Sequence, residues 1–242
     1  TKSAISFIMT YEGFWNKIII TEEEKKKSVH YLQYRGIDEH DHVRQHLESL
    51  SGEKVSYAEI ATAFRYDKRI RRVLYKYIGL LEESIRAFIS NKYSDNSGAI
   101  IHTLKLQRYL DSGDGFFSAL SSLTFGQLIL QAKKLSKTDK QELFPYYLNK
   151  IDNLSRDLDA VIALRNEVSH NRFLLDNKNL KKCSVGDGNG SLWTNIINLT
   201  NCLPEPFRIQ FTTDINDCAK EGKIDYSNQT QWILIERLII RI

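Results

Sequence analysis

The sequence predicts a mainly α-helical protein. Apolar residues recur at spacings of three and four through its longest patterned segments, and alternating strand patterns are scarce. Only 3 prolines and 12 glycines interrupt the 242 residues. A content of 42% hydrophobic residues, with 12 Tyr and 11 Phe, excludes a disordered tail. A net charge of +4 leans mildly toward anionic partners and falls far short of a histone-like binder.

Each element has a local reason. Thr21 followed by Glu22, Glu23 and Glu24 reads as an N-cap with acids in the first turn, opening a helix that runs to about Tyr34 and ends at Arg35 and Gly36. Ser56 with Glu59 three residues on has the capping-box arrangement and opens a short helix over Tyr57–Phe64. From Lys68 to Tyr93, Ile70, Val73, Leu74, Tyr77, Ile78, Leu81, Ile85, Phe88 and Ile89 mark a long amphipathic helix. A Ser/Asp/Asn/Gly loop over Ser94–Gly98 ends it; a short helix over Ala99–Leu110 and a turn at Asp111–Gly115 follow. Thr124 caps a helix over Phe125–Leu135, and Asp139–Leu148 reads as a helix containing or kinked by Pro145. Ile151 to about Arg172 is the second long helix. Beyond Asp176 the chain is polar, then glycine-rich at Gly186–Gly190; shorter helices are expected over Leu192–Leu199, Phe207–Cys218 and Trp232–Ile242, the last with a strand-like alternative. These shifts suggest an N-terminal helical extension (1–56), a helical core (57–176) and a C-terminal helical subdomain (177–242).

Several function classes receive little support. Cys183, Cys202 and Cys218 are widely spaced and form no CxxC pair or Cys/His cluster, so reduced thiols and a cytoplasmic setting are expected, with no metal and no cofactor. No run approaches the roughly 18–20 apolar residues that span a bilayer, so no membrane association is expected. His40, His42 and His46 lie among Asp38, Glu39 and Asp41, yet lack the additional well-spaced ligand that zinc requires and read as a surface loop. Gly186-x-Gly-x-Gly190 is not a dinucleotide-binding loop, since it follows no strand and opens no helix.

The informative stretch is Ala163-Leu-Arg-Asn-Glu-Val-Ser-His-Asn-Arg172. On a wheel of about 100° per residue with Arg165 at zero, Ser169 falls near ~40°, Asn166 near ~100° and His170 near ~140°. The upstream apolar residues Leu154, Leu158, Val161, Ile162 and Ile151 fall around the Arg165 direction, whereas Asn153, Arg156, Asp157, Glu167 and Asn171 cluster on the other side. The expectation is that Arg165 continues a buried stripe, with His170 at its edge, and that Asp157 and Glu167 are solvated. Such a polar set on an inward face is costly unless paired or functional. The chemistry it suits is RNA cleavage by 2′-hydroxyl attack: His moves a proton near neutral pH, Arg holds phosphate oxygens, and Asn orients either. One His serves poorly as both base and acid, which argues for a second copy from a symmetric partner.

Arg165-Asn166-x3-His170 resembles the R-x4–6-H motif of HEPN domains, the α-helical RNase and RNA-binding superfamily. Tyr57–Leu74 resembles the opening of the Abi-like (abortive infection, AbiD/AbiF type) bacterial proteins of that superfamily. Ile78–Ala87 is similar to their I-E-x-x-x-R helix, with Glu82 and Arg86 at the matching positions, and Leu123–Leu128 is similar to their T-F-G-x-L segment. Leu164–Arg172 is similar to their R-N-x-x-x-H-x-x-R pattern, with Arg172 two rather than three positions after His170. Their tyrosine-rich block is only partly kept at Tyr31–Ile37. The blocks occur in the same order over about Thr21–Leu175.

The resemblance implies a HEPN-type helical bundle with extra N- and C-terminal helices. It implies a metal-independent endoribonuclease of an anti-phage or toxin–antitoxin system, acting as a homodimer on RNA, with a noncoding RNA regulator in some relatives. Arg165, Asn166 and His170 would be catalytic, with Glu82, Arg86 and Ser169 in support. Arg65, Lys68, Arg69, Arg71, Arg72 and Lys76, six cations in twelve residues, together with Arg172 would bind RNA. Tyr66, Tyr75 and Tyr77 interleave with them and could stack on bases. The alternative is a catalytically silent HEPN protein that binds RNA or a protein partner.

Overall fold

A computed structural model describes residues 10–93, 116–185, 190–220 and 236–242. The expected helix at Ala99–Leu110 and the turn at Asp111–Gly115 lie outside the described residues, as do most of Gly186–Gly190 and the start of Trp232–Ile242. Among the described residues the fold is mainly α, with ten α-helices and no strand. They are α1 (Tyr11–Trp15), α2 (Glu22–Arg35), α3 (Ile37–Ser51), α4 (Tyr57–Tyr93), α5 (Phe116–Ser121), α6 (Phe125–Lys134), α7 (Lys137–Leu143), α8 (Leu154–Ser169), α9 (Leu192–Cys202) and α10 (Glu205–Asp217).

The caps form where local chemistry places them. Thr21 and Glu24 close a reciprocal capping box on α2, and Thr124 and Gln127 close another on α6. Ser56 and Glu59 do the same for α4: the Ser56 backbone N–H donates to Glu59 Oε2 at 2.6 Å and the Glu59 N–H donates to Ser56 Oγ at 3.2 Å.

Several expected boundaries are corrected. The helices at Tyr57–Phe64 and Lys68–Tyr93 are one helix of 37 residues, because no Gly or Pro interrupts the chain between them. The segment with His40, His42 and His46 is helix α3, opened at Gly36 with φ of 82°, rather than a loop. α7 ends at Leu143 instead of Leu148, since Pro145 forces Phe144 out of the helical region (φ −120°, ψ 63°). Ile151–Asn153 is a 3₁₀ turn, and α8 stops at Ser169 instead of Arg172. The described end of the chain, Leu238–Ile242, forms neither helix nor strand.

The chain divides into two compact units, Thr1–Ile70 with Asp217–Ile240 and Arg71–Asn216 with Arg241–Ile242. The division falls inside α4, so it does not coincide with the expected boundaries after 56 and 176. In the first unit Phe14, Leu32, Val43, Leu47, Ile60 and Ile70 form the core. Tyr66 is fully buried there, its hydroxyl accepting from the Ile240 N–H at 2.8 Å. Ile19 pairs with Ser56 in an isolated parallel bridge.

In the second unit α8 packs against α6 and α9. Leu74, Leu81 and Ile85 of α4, Leu128 and Ile129 of α6, Leu158, Val161 and Leu164 of α8, and Leu199 of α9 are fully buried. Burying one such side chain contributes about 1.5–3 kcal/mol, so this packing sets which way α8 faces.

Candidate active-site face of helix α8

The buried face of α8 comprises Leu154, Asp157, Leu158, Ala160, Val161, Leu164, Glu167 and Val168. It is rotated by about a quarter turn from the expected stripe. Asp157 and Glu167, expected in solvent, are 0% and 8% exposed. Arg165, expected along the buried stripe, is half-buried; Ser169 is half-buried, and Asn166 and His170 are exposed.

The rotation has a physical cause in residues distant along the chain. Asp157 accepts from the Ser184 backbone N–H at 2.7 Å and from the Tyr147 hydroxyl at 2.6 Å, and also from Ser184 Oγ. Its backbone carbonyl accepts from Asn198 Nδ2 at 2.8 Å. Glu167 accepts from Arg172 at 3.1 Å and from Asn179 at 3.0 Å. A buried carboxylate with this many donors is compensated. Burial and the bond to Asp157 push the Tyr147 hydroxyl well above its ordinary value.

The end of α8 fixes His170. The Arg172 N–H donates to the Glu167 carbonyl at 3.1 Å and the Asn171 N–H to the Val168 carbonyl at 3.2 Å. These are the two bonds of a Schellman motif, with Asn171 at the left-handed position (φ 55°) and His170 as C-cap. Its usual apolar contact is replaced by the Arg172–Glu167 ion pair. Arg71 of α4 donates to Asn171 Oδ1 at 3.2 Å and so ties this turn to α4. Asn171 carries a positioning role that the sequence reading did not assign; an Asn directly after a helical pattern was the available signal.

Arg165, Asn166, Ser169 and His170 therefore share the outward side of the last turns of α8. Arg165 Nη1 lies 3.5 Å from Asn166 Oδ1, and the His170 N–H donates to the Asn166 carbonyl at 2.9 Å. A half-buried guanidinium beside an exposed amide and imidazole, all within about one helical turn, can meet an anionic substrate, which a fully buried set cannot.

The expected RNA-binding cations do not form one free strip. Arg71 is 6% exposed and holds Asn171. Arg69 donates to the Cys218 carbonyl at 2.9 Å. Lys76 pairs with Asp214 at 3.0 Å, and Tyr77 also donates to Asp214. Arg172 pairs with Glu167. Arg65 and Arg72 are exposed, and Lys68 is half-buried. Tyr66 and Tyr77 are core residues, Tyr77 against Phe211 at 4.8 Å, whereas Tyr75 is exposed. Glu82 and Arg86 form an i,i+4 pair at 2.7 Å on α4, and Arg86 also reaches the Leu120 carbonyl at 3.4 Å.

Among the described residues no group of three or more His, Cys, Asp or Glu side chains could hold a metal ion, and no helix is long and apolar enough to cross a membrane. All three cysteines are free and buried. Family models, curated proteins and solved structures yield no match for this chain.

Proposed function

We propose that the chain is an endoribonuclease whose site forms when the outward faces of α8 from two copies meet. The observation that carries this reading is the outward face of exposed Asn166 and His170 with half-buried Arg165, held by a Schellman turn that Arg71 braces. One His170 imidazole accepts the 2′-hydroxyl proton as the 2′-oxygen bonds to phosphorus. The P–O5′ bond breaks, and the departing O5′ takes a proton from the second, protonated His170. Arg165 holds the non-bridging oxygens as charge builds, and Asn166 orients the phosphate. The products are a 2′,3′-cyclic phosphate and a 5′-hydroxyl, and no step in this scheme asks for a metal. An anti-phage or toxin role with a noncoding RNA regulator belongs to the same proposal and rests on the resemblance to Abi-like proteins.

Single-turnover RNA cleavage in EDTA tests it. His170→Ala and Arg165→Ala are each expected to slow cleavage by about 10²–10⁴-fold. Equal rates in wild type and both variants would overturn the assignment.

A further inference from the structure

The second unit contains a groove of about 470 Å³ that shares no residue with the outward face of α8. That volume lies within the roughly 300–1,000 Å³ typical of small-molecule sites. The groove is lined by α7 and the 3₁₀ turn Ile151–Asn153, which pack against each other. Pro145 makes room for it: α7 stops before the proline, and the chain crosses to the turn as non-helical backbone. Two lining residues are fixed from behind. The Tyr147 hydroxyl donates to buried Asp157 at 2.6 Å, and Asn149 Nδ2 donates to Ser184 Oγ at 2.9 Å. Phe144, Pro145 and Ile151 supply the apolar part of the lining.

The rest is charged. Lys137, Lys150 and Asp152 line the same groove, and all three are exposed. Among the described residues none of the three side chains enters a hydrogen bond or ion pair, and Asp152 pairs with neither lysine. Opposite charges that share a groove and leave one another unpaired present both signs to a ligand. A bare phosphate or a simple dicarboxylate brings a like charge to Asp152, and a polyamine brings like charges to two lysines. An apolar ligand leaves all three charges unanswered.

We infer that this groove binds an amino-dicarboxylate, its two carboxylates held by Lys137 and Lys150 and its ammonium by Asp152, with the Gln141 and Asn149 amides as neutral partners. The ligand is a free acidic amino acid or a dipeptide carrying the same three charges. The inference goes beyond the nuclease reading and stands without it.

Isothermal titration of the full chain tests it. The probes are L-glutamate, alanyl-glutamate, glutarate, L-lysine and inorganic phosphate. L-glutamate or alanyl-glutamate binds saturably, and the tighter of the two fixes the length of the ligand. Glutarate, which lacks the ammonium, L-lysine and phosphate are each weaker by about tenfold or more. Lys137→Ala, Lys150→Ala and Asp152→Asn each weaken the tighter ligand about tenfold; all three side chains are exposed, so no change empties the core. In Asp152→Asn the advantage over glutarate disappears, because the ammonium has lost its partner. His170→Ala binds the ligand like wild type, which separates this site from the nuclease face. The inference is overturned if neither amino-dicarboxylate binds, if glutarate or phosphate binds as tightly, if Lys137→Ala and Lys150→Ala both leave affinity unchanged, or if Asp152→Asn keeps the preference over glutarate.

Discussion

The two sides of helix α8 are both polar, and they do opposite things. The inward side carries Asp157 and Glu167, each buried and supplied with several donors. The outward side carries Asn166 and His170 in solvent, with Arg165 and Ser169 half-buried beside them. The difference teaches that polarity on a helix does not report burial. Donors from elsewhere in the chain decide it. Asp157 is a strut because Tyr147 and Ser184 reach it, and His170 stays in solvent at the C-cap, where the helix ends.

The sharpest way to break this contrast is to remove the strut. Asp157→Ala leaves the Tyr147 hydroxyl and Ser184 N–H without their acceptor, and is expected to cost about 3 kcal/mol or more in a denaturation experiment. A loss below about 0.5 kcal/mol would show that the inward carboxylate is ordinary surface.

Asn171 sharpens the contrast at the helix end. Asn171→Val forces a β-branched residue into the left-handed region and removes the Arg71 partner, with an expected cost of about 1–2 kcal/mol. Asn171→Gly keeps the backbone conformation and is expected to cost less than Asn171→Val in the same denaturation series.

A smaller effect comes from Asp139, capped by hydrogen bonds from Lys92, Tyr93 and Ser136. Lys92 foremost, they hold its carboxyl at about 2, against an ordinary 3.8. A depressed carboxylate contributes stability that is present above its unfolded value and lost as pH falls through its folded one. Thermal unfolding of the wild type should therefore weaken from about pH 4 down to about pH 2 more than that of Asp139→Asn. Parallel curves would contradict the pairing. The smallest effect is on the outward face: Asn166→Ala and His170→Ala are each expected to leave stability within about 0.5 kcal/mol, measured in the same unfolding assay.

Local features of the fold were legible in the sequence. The N-caps at Thr21 and Thr124 and the capping box at Ser56 depend on residues close in sequence, and all three form, Thr21 and Thr124 each closing a capping box as well. The long apolar stripe of α4 was legible for the same reason. Its continuity through Arg65, Tyr66 and Asp67 was not, because those polar-looking positions include Tyr66 and Asp67, both fully buried. Pro145 was visible, but whether it kinks or ends a helix depends on where the preceding cap falls. The facing of α8 was not legible from its own periodicity. Asp157 and Glu167 are held by Ser184 and Asn179, residues 27 and 12 positions away, and no repeat of 3.6 encodes such partners. The candidate residues Arg165, Asn166 and His170 were therefore legible as a set, whereas their outward direction was not.

The most direct test of the central claim is a mixed dimer. One wild-type copy and one His170→Ala copy, carrying different tags, are purified together and assayed for RNA cleavage in EDTA. A site built from two imidazoles predicts that the mixed dimer cleaves at less than about one-tenth of the wild-type rate. A mixed dimer retaining about half of the wild-type rate would mean that each copy works alone, and would contradict the shared site.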